Sequence, residues 1–438
     1  MAKKWLIVGG LGIALLAVCA ASILAAVPVV RAGLSGRISW SALAANTTMA
    51  EATEEQRATV SGPADLRIRT PFGKVEVTAK EDTKEVVIIA HKYAWAATSS
   101  QAESLLQKIK VVVEQNLNSV NVYVQTPVQV DLLHIGPASV SVDFTVTVPV
   151  DCSVDAGSTS GDVSVTGIAG SATAHSDFGK VTVEQIKGGV KAGSSSGDVA
   201  VHSAAGGAGD VEATTLFGKA EVAQSSGGTL TVKSSSGDVS VSGCVFTGTA
   251  RLSTEFGLVD AEDLQAALVD ARSQSGRVSL TGLQSAAALT AHSGFGDVVV
   301  KGSTAASYDL SSSSGRIEAD DIQSPVKAHS DNGDVVVTGR NAVLDLSSNS
   351  GSITFAGSLG AGRSVLHTNF GDVHITLPAD AQFSADLSTH FGSIHSDFPI
   401  LTTTPDSTHL AGAVGSGGPT IRASTDSGSV ILSAQPAE

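Results

Sequence analysis

The chain has 438 residues, 46 of them Gly, and its residues are 42% apolar, 16% charged and only 4% aromatic, with a net charge of −15. Plentiful Val, Leu and Ile argue against intrinsic disorder, and an acidic balance without a basic patch argues against a phosphate-neutralising nucleic-acid binder. Three cysteines in this length exclude a disulfide framework.

In chain order, residues 1–31 read as an N-terminal transmembrane signal anchor. After Lys3 and Lys4 an uncharged run extends from Trp5 to Val30, 26 residues, longer than the ~20 a helix needs to span hydrocarbon. The lysines before it favour a cytoplasmic N-terminus and an extracellular remainder, a single-pass cell-membrane protein. A cleaved signal peptide is the rival reading, but its apolar stretch is about 7–15 residues. Cys19 sits inside the run, after a Val too bulky for a lipoprotein cleavage site.

Residues 32–64 are Ser-, Ala- and Thr-rich without a period and read as a stalk, with a sequon-like Asn46-Thr47-Thr48. Residues 65–150 read as an N-terminal capping region. It holds long alternating strands at Glu85–Ala90, Val120–Val124 and Val140–Val148 and one short helix near Ser100–Lys110, opened by a Ser100-x-x-Glu103 capping box.

Residues 151–435 read as an all-β solenoid of about 14 coils, because a Gly preceded by Phe or Ser recurs with a period of about 19 residues from Gly161 to Gly392. Counting Gly73 and Gly428 there are fifteen copies, and one more near 410 reads as degenerate. Two and four residues after the Gly stand apolar side chains, as at Val163 and Val165; seven and five before it stand others, as at Val154 and Ala156. That is the period-two pattern of two short strands with one buried face. Gly is expected at the corner because it tolerates positive φ.

Four columns flank the corner. Three residues before the Gly stands Ser or Thr in every copy, from Thr70 through Ser158 to Thr425. Its parity turns it inward, where the hydroxyls must find hydrogen-bond partners among themselves or the corner amides. Immediately before the Gly, Phe and Ser alternate, as in Phe72, Ser160, Phe178 and Ser196; rings leaning over small neighbours would fill a narrow core. After the Gly, Asp162, Lys180, Asp198 and Lys219 alternate in sign. With one coil per repeat, opposite charges then become neighbours about 4.8 Å apart. Four before the Gly, His175, His292, His329 and His367 share a position, and solvent-facing side chains two coils apart are too distant for neighbours to share one zinc easily.

The FGKV and SGDV corners, the Val148-Pro149 step and the closing GSGGP…SGSV resemble the bacterial putative-adhesin family of β-strand-repeat proteins, a domain of unknown function, over roughly 65–435. The resemblance implies a surface-exposed adhesin-like solenoid and carries no catalytic residues. No catalytic, cofactor-binding or metal residue is nominated. Gly193-Ser194-Ser195-Ser196-Gly197 fits the G-x-S-x-G string, but a hydrolase elbow needs a strand-to-helix turn. Cys152 and Cys244 fall on coils too far apart for a disulfide.

The expectation is therefore a membrane-anchored, non-enzymatic binding or structural rod, meeting a cell-surface polysaccharide or protein ligand and no nucleic acid. The alternative is a protein that senses envelope stress or antimicrobial peptides. A carbohydrate-active β-helix enzyme ranks below both, because corner intervals of 18 to 21 residues between Gly161 and Gly392 leave no room for long loops.

Overall fold

The computed structural model describes residues 47–126, 139–401 and 407–435. The described residues are all-β apart from one eight-residue helix. Among the described residues no helix is long and apolar enough to cross a membrane. The anchor expected over 1–31 and the sequon at Asn46 lie outside the described residues.

Each repeat forms a strand, the Gly corner and a second strand, as in Val190–Ser194 followed by Val199–His202. Equivalent residues of successive repeats pair in parallel. Val181 stands between Val163 and Val199, and Ala174 between Ala156 and Ala192. One repeat is thus one coil, and the pre-corner and post-corner strands build two facing parallel sheets. Inward Val, Ala, Leu and Ile from both fill the space between them. A fully buried aliphatic side chain contributes ~1.5–3 kcal/mol against a net ~0.5–1.5 kcal/mol for a hydrogen bond, so apolar burial supplies most of the stability.

Hydrogen bonds set the alignment of the coils. The Ser or Thr three residues before each Gly is buried. From Ser158 onward its hydroxyl donates to the Gly carbonyl of the coil below, at 2.8–3.0 Å in all fourteen cases. Five of these hydroxyls also accept from their own Gly amide, as Ser273 does from Gly276 at 2.7 Å. The inward column is as expected, but its main partner is a carbonyl of the neighbouring coil.

That contact explains the glycine, and the expected reason is corrected. Of the fifteen corner glycines only Gly73, Gly371 and Gly428 have φ in the range side chains avoid. What excludes a side chain is the neighbouring corner: a Cβ on Gly237 would stand 1.9 Å from the Gly218 carbonyl oxygen, and one on Gly276 1.8 Å from that of Gly257. Left-handed backbone belongs to the opposite corner, six residues after each Gly. There Gly167, Gln185, Ser203, Gln224, Gly243, Asp263, Gly282, Gly302 and Asp321 have φ of 49–82° on nine successive coils.

At the N-terminal end, strands β1 (Thr48–Thr59), β2 (Ala64–Phe72), β3 (Val75–Lys80) and β4 (Glu85–Ala96) precede helix α1 (Ser99–Leu106). Strands β5 (Lys110–Asn116), β6 (Ser119–Gln125), β7 (Ser139–Pro149), β8 (Cys152–Ser160) and β9 (Val163–Thr166) follow. β2 and β3 pair in parallel with β8 and β9, so residues 64–80 form the first coil and not part of the cap. β1, β4 and β7 extend one sheet and the antiparallel β5–β6 pair the other. This covers edges that would otherwise recruit another chain. The described end of the expected stalk is therefore sheet: β1 pairs with β4 along all twelve residues. The helix ends earlier than expected, and its N-cap is Thr98, whose side chain accepts from the Gln101 amide, in place of Ser100.

The C-terminal end is out of sequence order. The coil 420–435 inserts between the coil of Gly371 and that of Gly392: Thr420–Ser427 pairs on one side with Arg363–Phe370 and on the other with Phe383–Phe391. The hydroxyl ladder follows, from Thr425 to the Gly371 carbonyl and from Thr389 to that of Gly428. The segment near 410, expected as a degenerate coil, is an antiparallel strand, His409–Val414, that closes the end against Phe383–Phe391. Phe398 packs edge-on to Phe383 there, with centroids 5.3 Å apart.

Two pairs of substitutions test this corner in urea unfolding. Gly237→Ala is expected to cost ~1–3 kcal/mol by overpacking, whereas Gly302→Asn, at the left-handed corner that Asn tolerates, costs about 1 kcal/mol or less. Ser273→Ala strips partners from buried backbone groups and costs ~1–3 kcal/mol; Ser236→Ala, exposed beside Gly237, changes stability by less than about 0.5 kcal/mol. Equal losses within either pair contradict the assignment.

Candidate binding surface

The inward positions on either side of the corner, three before and two after the Gly, are five residues apart. An odd separation means that strict in–out alternation cannot pass through the turn. The residue just before the Gly sits where it fails. Its side chain leaves the core, and the expectation of buried phenylalanines in this column is overturned: Phe178, Phe217, Phe256, Phe295, Phe370 and Phe391 are 61–79% exposed. Phe72, against the cap, is half-buried. The other five phenylalanines of the chain, Phe144, Phe246, Phe355, Phe383 and Phe398, are all buried.

The stacking order brings these rings into single file along one edge. From the first coil the column reads Phe72, Ser160, Phe178, Ser196, Phe217, Ser236, Phe256, Ser275, Phe295 and Ser314, then Asn332, Ser350, Phe370, Ser427 and Phe391. In sequence Phe370 and Phe391 are consecutive copies; in space the inserted last coil sets Ser427 between them, and the alternation is restored. Rings on alternate coils lie about 10 Å apart at the ordinary strand spacing. Leu216 and Leu258, each about half exposed, widen the apolar strip beside Phe217 and Phe256.

The column after the Gly alternates for a different reason from the one expected. The Asp carboxylates accept the backbone amide of the next coil at 2.7–2.9 Å: Asp162 from Lys180, Asp198 from Lys219, Asp238 from Leu258, Asp297 from Arg316, Asp334 from Ser352 and Asp372 from Ser429. Lys74 and Lys219 turn to Glu76 and Glu221 of their own strands at 2.8 and 2.7 Å. An Asp on every coil would stack like charges, which is unfavourable for directly apposed pairs.

On the pre-corner side the Phe file is bordered by shallow polar grooves. One, of about 430 Å³, runs beside Phe295 and is lined by Thr254, Glu255, Arg272, Gln274 and His292. Another, of about 330 Å³, lies at Arg69, Tyr123, His175 and Asp177. Three of the four column histidines tie one coil to the next: Nδ1 of His292, His329 and His367 meets the hydroxyl of Ser311, Ser347 and Ser424 at 2.8–2.9 Å. His175 instead meets Asp177 of its own coil at 3.0 Å. Among the described residues no group of three or more His, Cys, Asp or Glu is placed to hold a metal. Ser195, the central serine of the G-x-S-x-G string, lies in the corner between two strands, Val190–Ser194 and Val199–His202, and not at a strand-to-helix turn; Ser194 beside it is a rung of the buried ladder, donating to the Gly179 carbonyl. Cys152 and Cys244 are buried free thiols; burial pushes Cys152 up to about 12 and raises Cys244.

Residues 221–433 match the Toastrack DUF4097 family. That segment is a Toastrack domain, a domain of unknown function. The match begins within a strand, Ala220–Ala223, and the same coil register continues from there back to Ala64 without a break. No curated protein matches. Among solved structures, a putative cell adhesion protein from Clostridium sporogenes ATCC 15579 is similar at 7% identity and TM-score 0.14, covering 88% of this chain and 100% of that one. A putative adhesin from Bacteroides fragilis NCTC 9343 is similar at 12% identity and TM-score 0.22, covering 74% and 97%. A putative lipid binding protein from Parabacteroides distasonis ATCC 8503 is similar at 12% and 0.19, covering 74% and 96%.

Buried thiols with raised pKa are poor nucleophiles. Alkylation of the native chain at pH 8, mapped by mass spectrometry, is expected to spare Cys152 and Cys244 and to label both after unfolding. Rapid native labelling of either contradicts its placement. The Cys152 thiol stays protonated in the fold, so its contribution is complete below the ordinary thiol pKa and is lost as pH rises from there toward about 12.

Proposed function

We propose that this protein is a non-catalytic, adhesin-like binding rod displayed on the cell surface, held by residues 1–31 as a single-pass anchor with its N-terminus in the cytoplasm. The observation that carries the reading is the Phe-lined edge. Of the twelve exposed large apolar side chains among the described residues, eight belong to it: the six phenylalanines with Leu216 and Leu258. Exposed apolar surface costs solubility, and where it is contiguous it marks an interaction site. The groups along the edge are rings, serine hydroxyls and carboxylates already engaged with backbone amides, which suit contact with a partner better than bond-making chemistry. The uncharged run Trp5–Val30 supports the anchor.

The test is a strain lacking the chain, compared for surface attachment and aggregation. Attachment is expected to fall several-fold and to be restored by the chain; unchanged attachment and aggregation contradict the reading. Protease added to intact cells should remove the solenoid and spare an N-terminal tag, and loss of the tag contradicts the topology.

A further inference from the structure

We infer that the Phe file is a platform for an extended, neutral β-1,4-linked polysaccharide, an inference that rests on the binding-rod reading above and names its ligand class. The spacing is the first reason. Stacked corners stand about 4.8 Å apart, and rings at that spacing could stack face to face on every coil, as aromatic ladders do. This chain instead places Phe on alternate coils with Ser between from Phe72 to Phe295 and again from Phe370 to Phe391, in the same phase, with Asn332 in place of one ring in the interval. The interval of about 10 Å is close to the disaccharide repeat of an extended β-1,4-linked glycan, in which every second pyranose presents the same face. Each ring can then receive the C–H face of every second sugar, and the serine between leaves room for the intervening one.

The borders are the second reason. The groove beside Phe295 presents Glu255, Arg272, Gln274 and His292 next to the ring, donors and acceptors that suit sugar hydroxyls. A lipid surface would gain nothing from these charged groups. The net charge of −15 disfavours a polyanion, which leaves a neutral glycan. The file also keeps its alternation across the C-terminal coil inserted out of sequence order, where Ser427 separates Phe370 from Phe391; a continuous linear ligand senses order in space and not order in sequence.

The experiment is a pull-down of the full-length chain, in mild detergent, on insoluble chitin and cellulose, with starch and polygalacturonate as wrong-linkage and anionic comparators. Binding to chitin or cellulose and not to the comparators is expected. Phe217→Ser with Phe256→Ser and Phe295→Ser should weaken it at least tenfold. Val245→Ser, also solvent-facing but off the file, should leave it unchanged. All these side chains are exposed, so matching melting temperatures verify that each variant is folded. A register variant, Phe256→Ser with Ser275→Phe, keeps the number of rings but moves one by a coil, and it too should bind more weakly.

Full binding by the register variant overturns the inference, since the edge would then be merely sticky. Failure of the unaltered chain to bind either β-1,4-linked glycan overturns it as well. So does a dimer in sedimentation that the triple variant dissociates while no glycan is bound, because the edge then belongs to a second copy. A null pull-down beside an intact attachment defect in the deletion strain overturns the glycan alone and leaves the binding rod standing; loss of both removes both.

Discussion

The structure depends on one contact: the hydroxyl three residues before each corner glycine donating to the glycine carbonyl of the coil beneath. It works only if the corners approach so closely that a Cβ would collide with that carbonyl oxygen, at 1.8 to 2.4 Å at every corner from Gly161 onward, which is why the corner is Gly. It also needs a short hydroxyl, which is why the column is Ser or Thr. Apolar burial between the sheets supplies more free energy, but burial is non-directional, and it would tolerate coils rotated or slipped against one another. The ladder removes that freedom. Corners held in line by it hold everything attached to them in line, including the ring or serine immediately before each glycine.

Alignment turns a repetitive sequence into a surface. A side chain at a corner of one coil is a single exposed group; on fifteen aligned corners it is a row with defined spacing. Two rows alternate, for different reasons. Asp alternates with Lys, Arg or neutral residues because its carboxylate ties down the next coil's amide while stacked carboxylates would repel. Phe alternates with Ser although nothing within the chain requires it, and the alternation survives the inserted last coil. A regularity that internal packing leaves unexplained is best accounted for by something outside the chain.

Much of the architecture was legible in the sequence because strand alternation is local. The repeat, the two strands and the inward hydroxyls follow from counting by twos on either side of Gly161 or Gly197, and one coil per repeat from the alternating charges after the Gly. Alternation fails within a turn, and that is where the reading failed. Phe217 and its equivalents were assigned inward because rings alternating with small serines would fill a narrow core, without asking whether in–out alternation survives the corner. The odd separation between the last inward position before the Gly and the first after it was the available signal. The glycines carried two demands, close approach at one corner and left-handed backbone at the other, and only the second is visible in Asp263, Asp321 or Gln185 standing at equivalent positions to Gly167. The out-of-order C-terminal coil could not be read from local pattern, since pairing of Thr425 with Thr368 spans 57 residues. Its one trace was that Phe370 and Phe391 stand on consecutive copies, the one place in the column where two rings follow each other in sequence.

The central claim is that the corners form one straight file with the rings on alternate coils. Pulsed dipolar spectroscopy on spin labels attached to cysteines substituted for Phe178, Phe256 and Phe295 tests it directly. Four coils separate the first pair, two the second and six the outer pair, so the backbone positions should lie about 19, 10 and 29 Å apart at the ordinary strand spacing, with label-to-label distances growing additively. Distances about half as long, or an outer distance well short of the sum of the inner two, would show more than one repeat per coil or a file that does not run straight, and would contradict the account.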